Sequence, residues 1–406
     1  MKQVFANARL ILPDEEQPKA GRFVVDGDRI ATADDGTDPD PGESIDCKGR
    51  LLAPGIVDLG VFAIDKPAFH YGGITRAALM PDQAPVLDLP AIIKHNAVEG
   101  KPDLWSHPIA AATKGLGGKQ LAEIGLMKRS GAKAVATGRQ WIADSGLMLK
   151  LMQYCRSLDL PLIVHSEDAG LTAGAVATNG ETATRLGLSS ATAAAEAVSI
   201  ARDIALVRET GAHVHFRQVT TKDGLDLIRA AKADNLRVTC GITPAHLLLS
   251  DIAINDFRTF TRLSPPLRSE DDRLACIKAI KDGTIDVIAS GHDPRGAEDK
   301  RLPYAEAAPG MAGADTLLAL SLTLVRDGTI SIGRLFELLS TNPAKILAVD
   351  AGLLRPEYQA DFILVDEDSP WQVDTRKMAA AAGNTPFDGL PVQGRVTAIY
   401  KGGRAY

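Results

Sequence analysis

A set of imidazole and carboxylate side chains in this sequence could form a metal-assisted hydrolytic centre. Its members are His165, His246, His292 and Asp293. Imidazole nitrogens and carboxylate oxygens bind Zn²⁺, and a catalytic zinc ion held by three such ligands activates a water molecule. Because these residues are far apart in the sequence, only the fold could bring them together. The simpler interpretation, which we favour, is that His246 and His292 are structural or support other residues.

The segment His213–Thr220, with the sequence His-Val-His-Phe-Arg-Gln-Val-Thr, has the form of a buried strand that ends in polar residues. It presents Arg217 and Gln218 at the end where a barrel strand would meet an active site. Neither a guanidinium nor an amide is a typical zinc ligand. The segment therefore has the position of a catalytic strand without the side chains that metal-dependent hydrolysis needs.

Two arginines could bind an anion in or beside such a site. They are Arg217 and Arg295. A salt bridge to Asp82 or Asp293 is the simpler account of both. A further hypothesis is a small-molecule sensor, which would need an open cavity lined by Arg217, Gln218 or Arg295.

Eight short apolar segments, mostly separated by helical patterns, are the elements that would position these residues. Continuous apolar runs are typical of parallel strands buried on both faces. Eight of them with intervening helices favour an α/β fold, a closed (β/α)8 TIM-type barrel, over an open sheet. The predicted strands are Gly55–Phe62, Ile74–Pro81, Leu104–Ala112, Ala132–Thr137, Pro161–Glu167, His213–Val219, Arg237–Thr243 and Asp286–Ser290.

The segment 63–71, between the first two predicted strands, has only nine residues. That length is too short for a full crossover helix and two loops. We therefore expect the first barrel helix to be shortened or missing. Three side chains of the segment are either anchors of a protein interface or a plug for the gap: Phe69, His70 and Tyr71.

Strand-like segments at both ends of the chain predict a second, smaller domain. Residues 1–53 are rich in strand and turn signals, and residues 350–406 contain the apolar runs Phe362–Val365 and Val396–Tyr400. We expect these strands to form one small β-sandwich domain built from both termini, 1–53 plus 350–406. Residues 54–349 would then form the barrel.

Composition excludes several classes of protein. The formal net charge of -6 shows no basic excess, so no nucleic-acid partner is expected. No apolar run is long enough to cross a membrane, and the first residues read as a strand, so no membrane association is expected. The four cysteines are widely spaced, as is usual for reduced thiols. These features predict a cytoplasmic protein.

Seven motifs, spread over almost the whole chain, resemble those of one enzyme family. The chain is similar to the dihydroorotases of the amidohydrolase superfamily, in their long bacterial form. Together the motifs favour dihydroorotase over hydantoinase or allantoinase relatives. They are Ala53–Asp58, Gly72–Thr75 with Met80-Pro81, Val164–Asp168, Arg185–Leu188, Thr243–Leu249, Ser264–Ser269 and Asn384–Gly389.

The resemblance implies a site with one or two Zn²⁺ ions and a catalytic aspartate, and this sequence departs from that pattern. The family's His-x-His after the first strand is here Gly60 and Phe62. Gln218 replaces the ligand histidine after the sixth strand, and Gly291 replaces the aspartate that is ligand and base after the eighth. His165 is the one ligand retained, and we favour a hydrogen-bonded remnant over a metal ligand for it.

The same resemblance implies what surrounds the lost centre. Asp82 replaces the family's substrate-binding asparagine and would repel an anionic substrate. No catalytic or metal-binding residue is therefore expected. A vestigial pocket is expected instead, formed by His165, Asp82, Arg217, His246, His292, Asp293 and Arg295.

Inactive relatives in this family serve as structural partners of aspartate transcarbamoylase. The resemblance therefore implies a non-catalytic dihydroorotase-like protein of pyrimidine biosynthesis that binds that enzyme and self-associates. No cofactor is expected under this interpretation. The alternative is an active dihydroorotase, or another cyclic-amide hydrolase, whose zinc site has been rebuilt from other residues.

Overall fold

The structure is a computed structural model that describes residues 2–34 and 43–406. Its strands alternate with helices through the middle of the chain and lie close together at both ends. They are β1 Lys2–Leu10, β2 Lys19–Asp26, β3 Arg29–Asp34, β4 Glu43–Asp46, β5 Leu51–Pro54, β6 Ile56–Val61, β7 Ile74–Leu79, β8 Trp105–Ala111, β9 Ala134–Ala136, β10 Leu162–Val164, β11 Ala177–Thr178, β12 Ser190–Ala191, β13 Val214–Phe216, β14 Val238–Ile242, β15 Val287–Ile288, β16 Phe362–Gln372, β17 Pro391–Lys401 and β18 Arg404–Ala405.

The helices begin at recognisable signals. Side-chain oxygens of Asp144, Thr221 and Ser269 accept hydrogen bonds from the first backbone amides of their helices, which satisfies donors that the helix leaves unpaired. The α-helices are α1 Lys66–Gly72, α2 Pro90–Asn96, α3 Ile124–Arg129, α4 Ser145–Ser157, α5 Ala169–Thr172, α6 Glu181–Leu186, α7 Ala194–Thr210, α8 Lys222–Ala233, α9 Pro244–Leu248, α10 Glu270–Lys281, α11 Ala297–Lys300, α12 Leu317–Arg326, α13 Ile332–Phe336 and α14 Asn342–Ile346.

Eight parallel strands form the predicted barrel, in the order β15-β14-β13-β10-β9-β8-β7-β6. The gap between its first and last strands is bridged by hydrogen bonds. Buried Asp58 of β6 accepts one from the backbone N–H of Ser290 at 3.0 Å, and the Phe62 N–H donates to the His292 carbonyl at 2.8 Å. The (β/α)8 prediction is confirmed, and the polar residues after each strand meet at one end of the barrel.

The first barrel helix is shortened, as predicted, to the seven residues of α1. Phe69 is fully buried there and meets the His292 ring edge to face, with the ring centroids 5.3 Å apart. Gly72 lies so close to the Ala314 carbonyl that a Cβ atom would be 2.2 Å from its oxygen. Phe69 is therefore a plug for the gap and not an interface anchor, whereas Tyr71 is 38% exposed.

Strands from both ends of the chain form one hydrogen-bonded sheet, in the order β18-β17-β16-β5-β1-β2-β3 with β4 paired to β1. Its core contains Phe5, Phe23, Phe362 and Tyr400, and the last two rings are stacked with centroids 4.5 Å apart. The domain boundaries at residues 53/54 and 349/350 stay a prediction. In the part of the chain that the structure describes, no helix has both the length and the apolar character needed to cross a bilayer.

Candidate functional site

The polar ends of the barrel strands surround a small space, the inner cavity, where the site was predicted. Its volume is about 30 Å³, which is room for about two water molecules. Small-molecule sites are roughly ten times larger. The predicted residues that line the inner cavity are Phe62, Arg217, Gln218, His246, Gly291 and Asp293.

An aromatic ring and two guanidinium groups fill most of this end of the barrel. The Arg139 guanidinium carbon lies 3.6 Å from the centroid of the Phe62 ring, and that of Arg217 lies 5.1 Å from it. Cations over an aromatic face are attracted by its negative charge density. Arg139 was not among the predicted site residues, although its position just after β9 is a signal that could have identified it.

Arg217 occupies the space above Gly60. A Cβ atom added to Gly60 would lie 3.6 Å from the Arg217 Cδ, and Gly60 has a φ of +112°, which side chains rarely adopt. Burial, and then the neighbouring charge of Arg139, lower the pKa of Arg217 to about 10. Its Nη2 is 3.5 Å from His165 Nδ1. The arginine is therefore still a cation at neutral pH, next to the retained histidine.

His165 belongs to a buried polar network beside the inner cavity. Its Nε2 lies 3.3 Å from Glu167 Oε2, and Glu167 Oε1 accepts a hydrogen bond of 2.8 Å from Arg268. Burial opposes ionisation of Glu167, but the hydrogen bond from His165 and the charge of Arg268 outweigh it and lower the pKa to about 2. Both ring nitrogens of His165 thus have protein neighbours. From the sequence, Glu167 and Arg268 were identified only as members of the motifs Val164–Asp168 and Ser264–Ser269 and not as site residues.

His246 has both of its nitrogens occupied. Nδ1 is 2.8 Å from the Thr243 hydroxyl, and Nε2 is 3.1 Å from the Pro265 carbonyl oxygen. A carbonyl accepts only, so Nε2 carries the proton and Nδ1 accepts from Thr243. Burial lowers the pKa of His246 to about 4. The ring is neutral and fixed, as expected of a structural histidine.

His292 does not line the inner cavity and lies against the shortened first unit. Its Nδ1 accepts from the Ala314 backbone N–H at 3.3 Å, and its Nε2 is 3.4 Å from Asp65 Oδ2. The ring also contacts Phe69. The structure therefore does not bring His292 together with His165 and His246.

The two aspartates of the predicted pocket both contact Arg139. Asp293 Oδ2 accepts hydrogen bonds from Arg139 at 2.7 Å and from Arg295 at 3.1 Å. Asp82 Oδ1 accepts from the Arg139 backbone N–H at 2.9 Å. The salt bridge predicted for Arg295 is present. For Arg217 it is not found among the described residues, where its near polar neighbour is His165.

These residues do not fit a zinc ion. Within residues 2–34 and 43–406, no three His, Cys, Asp or Glu side chains are grouped to hold a metal. Gln218 Oε1 is buried without a hydrogen-bond partner, but it is a single neutral oxygen. The guanidinium groups of Arg139 and Arg217 would repel a divalent cation strongly in this poorly hydrated space.

Comparisons with known proteins agree with the fold and the motifs. The sequence model of the amidohydrolase family matches residues 110–406. The L-hydantoinase (dihydropyrimidinase) of Arthrobacter aurescens superposes with a TM-score of 0.87 at 23% identity, over 99% of this chain and 95% of that one. The chain therefore belongs to the amidohydrolase family.

Curated relatives narrow the comparison within that family. A protein named dihydroorotase from Desulforapulum autotrophicum is 36% identical over 98% of this chain and 97% of its own. Another of the same name, from Pelotomaculum thermopropionicum, is 38% identical over 94% of this chain and 92% of its own. The resemblance to dihydroorotases is confirmed along the full length.

Proposed function

We propose that this chain is a non-catalytic dihydroorotase homologue that serves pyrimidine biosynthesis as a structural partner of aspartate transcarbamoylase. The observation that carries the first half is the filled inner cavity. Phe62 stands at a position that in the family would bind metal, and Arg139 and Arg217 cover its ring. A cyclic amide has no room there, and Asp293, the carboxylate that lines the inner cavity in the described chain, is held by Arg139 and Arg295.

Two further features support the loss of hydrolysis. Gly291 stands where the family's aspartate would be ligand and proton shuttle, so the proton transfer has no acceptor at that position. The retained His165 is engaged with Arg217 and Glu167. A metal-activated hydroxide would require both arginines and the phenylalanine to move away.

The shortened first unit supports a docking role. Around it lies a set of partly exposed aromatic side chains, the aromatic patch, which consists of His70, Tyr71, Trp371 and Tyr406. Tyr71 meets Trp371 with ring centroids 5.8 Å apart, and His70 lies 6.1 Å from Tyr406. Aromatic residues are enriched among the side chains that dominate binding energy at protein interfaces. We propose that the transcarbamoylase, or a second copy of this chain, contacts the patch.

The cellular setting is part of the same proposal. All four cysteines are buried and unpaired, which suits a reducing cytoplasm where the pyrimidine enzymes would be met. The proposal names aspartate transcarbamoylase as the partner, and so it differs from the proposal of a general binding module.

Co-purification tests the partnership. We expect the full-length chain to elute with aspartate transcarbamoylase on size-exclusion chromatography, and Tyr71→Ala to weaken the complex by about tenfold in dissociation constant. Leu126→Ala, at an equally exposed apolar position on α3, is the matched control and should not weaken it. A transcarbamoylase that is fully assembled and active without this chain would contradict the proposal.

A further inference from the structure

A second, larger pocket, the outer pocket, opens beside the inner cavity. Its volume is about 600 Å³, within the range of small-molecule sites. Its walls are formed by Thr375 and by residues of three chain segments, 257–260, 295–301 and 381–384. Arg295 joins the two spaces, because it lines the outer pocket and donates a hydrogen bond to Asp293 of the inner cavity.

The charge of the outer pocket is one-sided. Every charged side chain that lines it in the described chain is a cation, and no carboxylate lines it. The cations are Arg258, Arg295, Lys300 and Arg301. Asp293 of the inner cavity pairs with Arg295 at 3.1 Å, whereas Asp256 and Asp299 lie 3.9 Å from Arg258 and Arg295.

Three of these cations have donors to spare. The side chain of Arg301 is exposed and has no hydrogen bond or ion pair within residues 2–34 and 43–406. Arg258 donates to the Pro386 carbonyl at 3.1 Å, but its Nε is buried without a hydrogen-bond partner, as is the Nε of Arg295. The cost of leaving buried donors unpaired favours an acceptor that enters from outside.

Lys300 differs from the three arginines in its structural role. It is buried, and its ammonium donates to the carbonyls of Thr259 at 3.1 Å and Ala308 at 2.7 Å. It therefore ties segment 257–260 to the loop after α11 and fixes the shape of the wall. Its charge still adds to the positive potential of the pocket.

Apolar surface lines the same pocket. Phe257 is 45% exposed, and Phe260 also lines the pocket. A flat or apolar group can pack on such rings while its charged end meets the arginines. The volume, which is within the range of small-molecule sites, favours a small molecule over a peptide surface or a nucleic-acid strand.

We propose that the outer pocket binds a phosphorylated small molecule that has a flat or apolar body. Arginine forks match the geometry and charge of a phosphate group, which presents several strong acceptor oxygens. The inference does not rest on the proposed scaffold function, since it uses residues outside the inner cavity and needs no hydrolysis.

Isothermal titration of the full-length chain tests it with four probes: AMP, ribose 5-phosphate, adenosine and citrate. We expect saturable binding of AMP, weaker binding of ribose 5-phosphate, and none of adenosine or citrate. The Arg301→Ala and Arg258→Ala variants should each weaken AMP binding by about tenfold. Arg129→Ala, an exposed arginine at the end of α3, is the control and should leave the affinity unchanged.

Several results would overturn the proposal. These are the absence of saturable binding by both phosphate probes, adenosine binding as tightly as AMP, or citrate binding in place of the phosphates. Unchanged AMP affinity in both arginine variants, with unfolding temperatures like that of the wild type, would also overturn it. None of these results bears on hydrolysis or on the transcarbamoylase, so the two proposals fail separately.

Discussion

The inner cavity and the outer pocket lie side by side at one end of the barrel, and they differ in how far their arginine side chains are paired within the protein. In the inner cavity, Arg139 is paired with Asp293 and packed over Phe62. In the outer pocket, the Arg301 side chain has no partner in the described chain, and no carboxylate is part of the lining. The volumes, about 30 Å³ and about 600 Å³, differ accordingly.

This difference in pairing and in volume indicates which part of the barrel is available to bind other molecules. Asp293 pairs with Arg139, and Arg217 lies near the Phe62 ring and His165. We therefore expect this filled end of the barrel to contribute to stability. In the outer pocket, the Arg301 side chain and the Nε atoms of Arg258 and Arg295 still have donors for a ligand. Changes in the inner cavity should therefore alter folding, and changes in the outer pocket should alter binding.

The largest expected effect on stability is that of Phe62→Ala. The substitution removes a buried ring and leaves Arg139 and Arg217 facing each other without the aromatic surface between them. We expect the free energy of unfolding to fall by about 4 kcal/mol, measured by urea denaturation. Phe257→Ala, at a half-exposed ring of the outer pocket, is the matched control and should cost less than about 1 kcal/mol. Equal losses would remove the distinction between the two regions.

Glu167→Gln should have the next largest effect. The carboxylate pairs with buried Arg268 and with His165, and removing its charge leaves the arginine poorly compensated. We expect a loss of about 3 kcal/mol in the free energy of unfolding. A change within experimental error would show that the network contributes nothing to folding.

The dependence of stability on acidic pH gives a second test of the contribution of Glu167. The folded pKa of Glu167 is about 2, below its ordinary value of 4.5, so its contribution is present above pH 4.5 and is lost as the pH falls towards 2. The stability difference between the wild type and Glu167→Gln should therefore shrink over that interval. A difference that stays constant down to pH 2.5 would contradict the assignment.

Arg301→Ala should have the smallest effect on folding. The side chain is exposed and unpaired in the described residues, so we expect a change within about 0.5 kcal/mol. The same variant should lose most of its affinity for AMP. A large loss of stability would mean that the arginine holds the fold together and is not kept for a ligand.

Much of the fold could be predicted because its signals are local. The strands β6 to β10 and β13 to β15 follow continuous apolar runs, and the length of segment 63–71 alone limited α1. The interpretation of Gln218 and Gly291 as replacements rests on the family resemblance alone and stays a prediction.

The contents of the site could not be predicted, because they depend on contacts between distant segments. Nothing local to Phe62 indicates that Arg139 would cover it, and nothing near His292 indicates that its ring would pack against Phe69 and not line the cavity. The outer pocket is built mainly from three segments without periodicity. Of its four cations, only Arg295 was linked to an anion from the sequence.

Zinc content and dihydroorotase turnover, measured together on the purified chain with and without added Zn²⁺, test the central claim most directly. The filled inner cavity predicts far less than one zinc ion per chain and no turnover in either condition. Stoichiometric zinc accompanied by turnover would contradict the account. It would mean that Phe62, Arg139 and Arg217 move aside to expose a metal site.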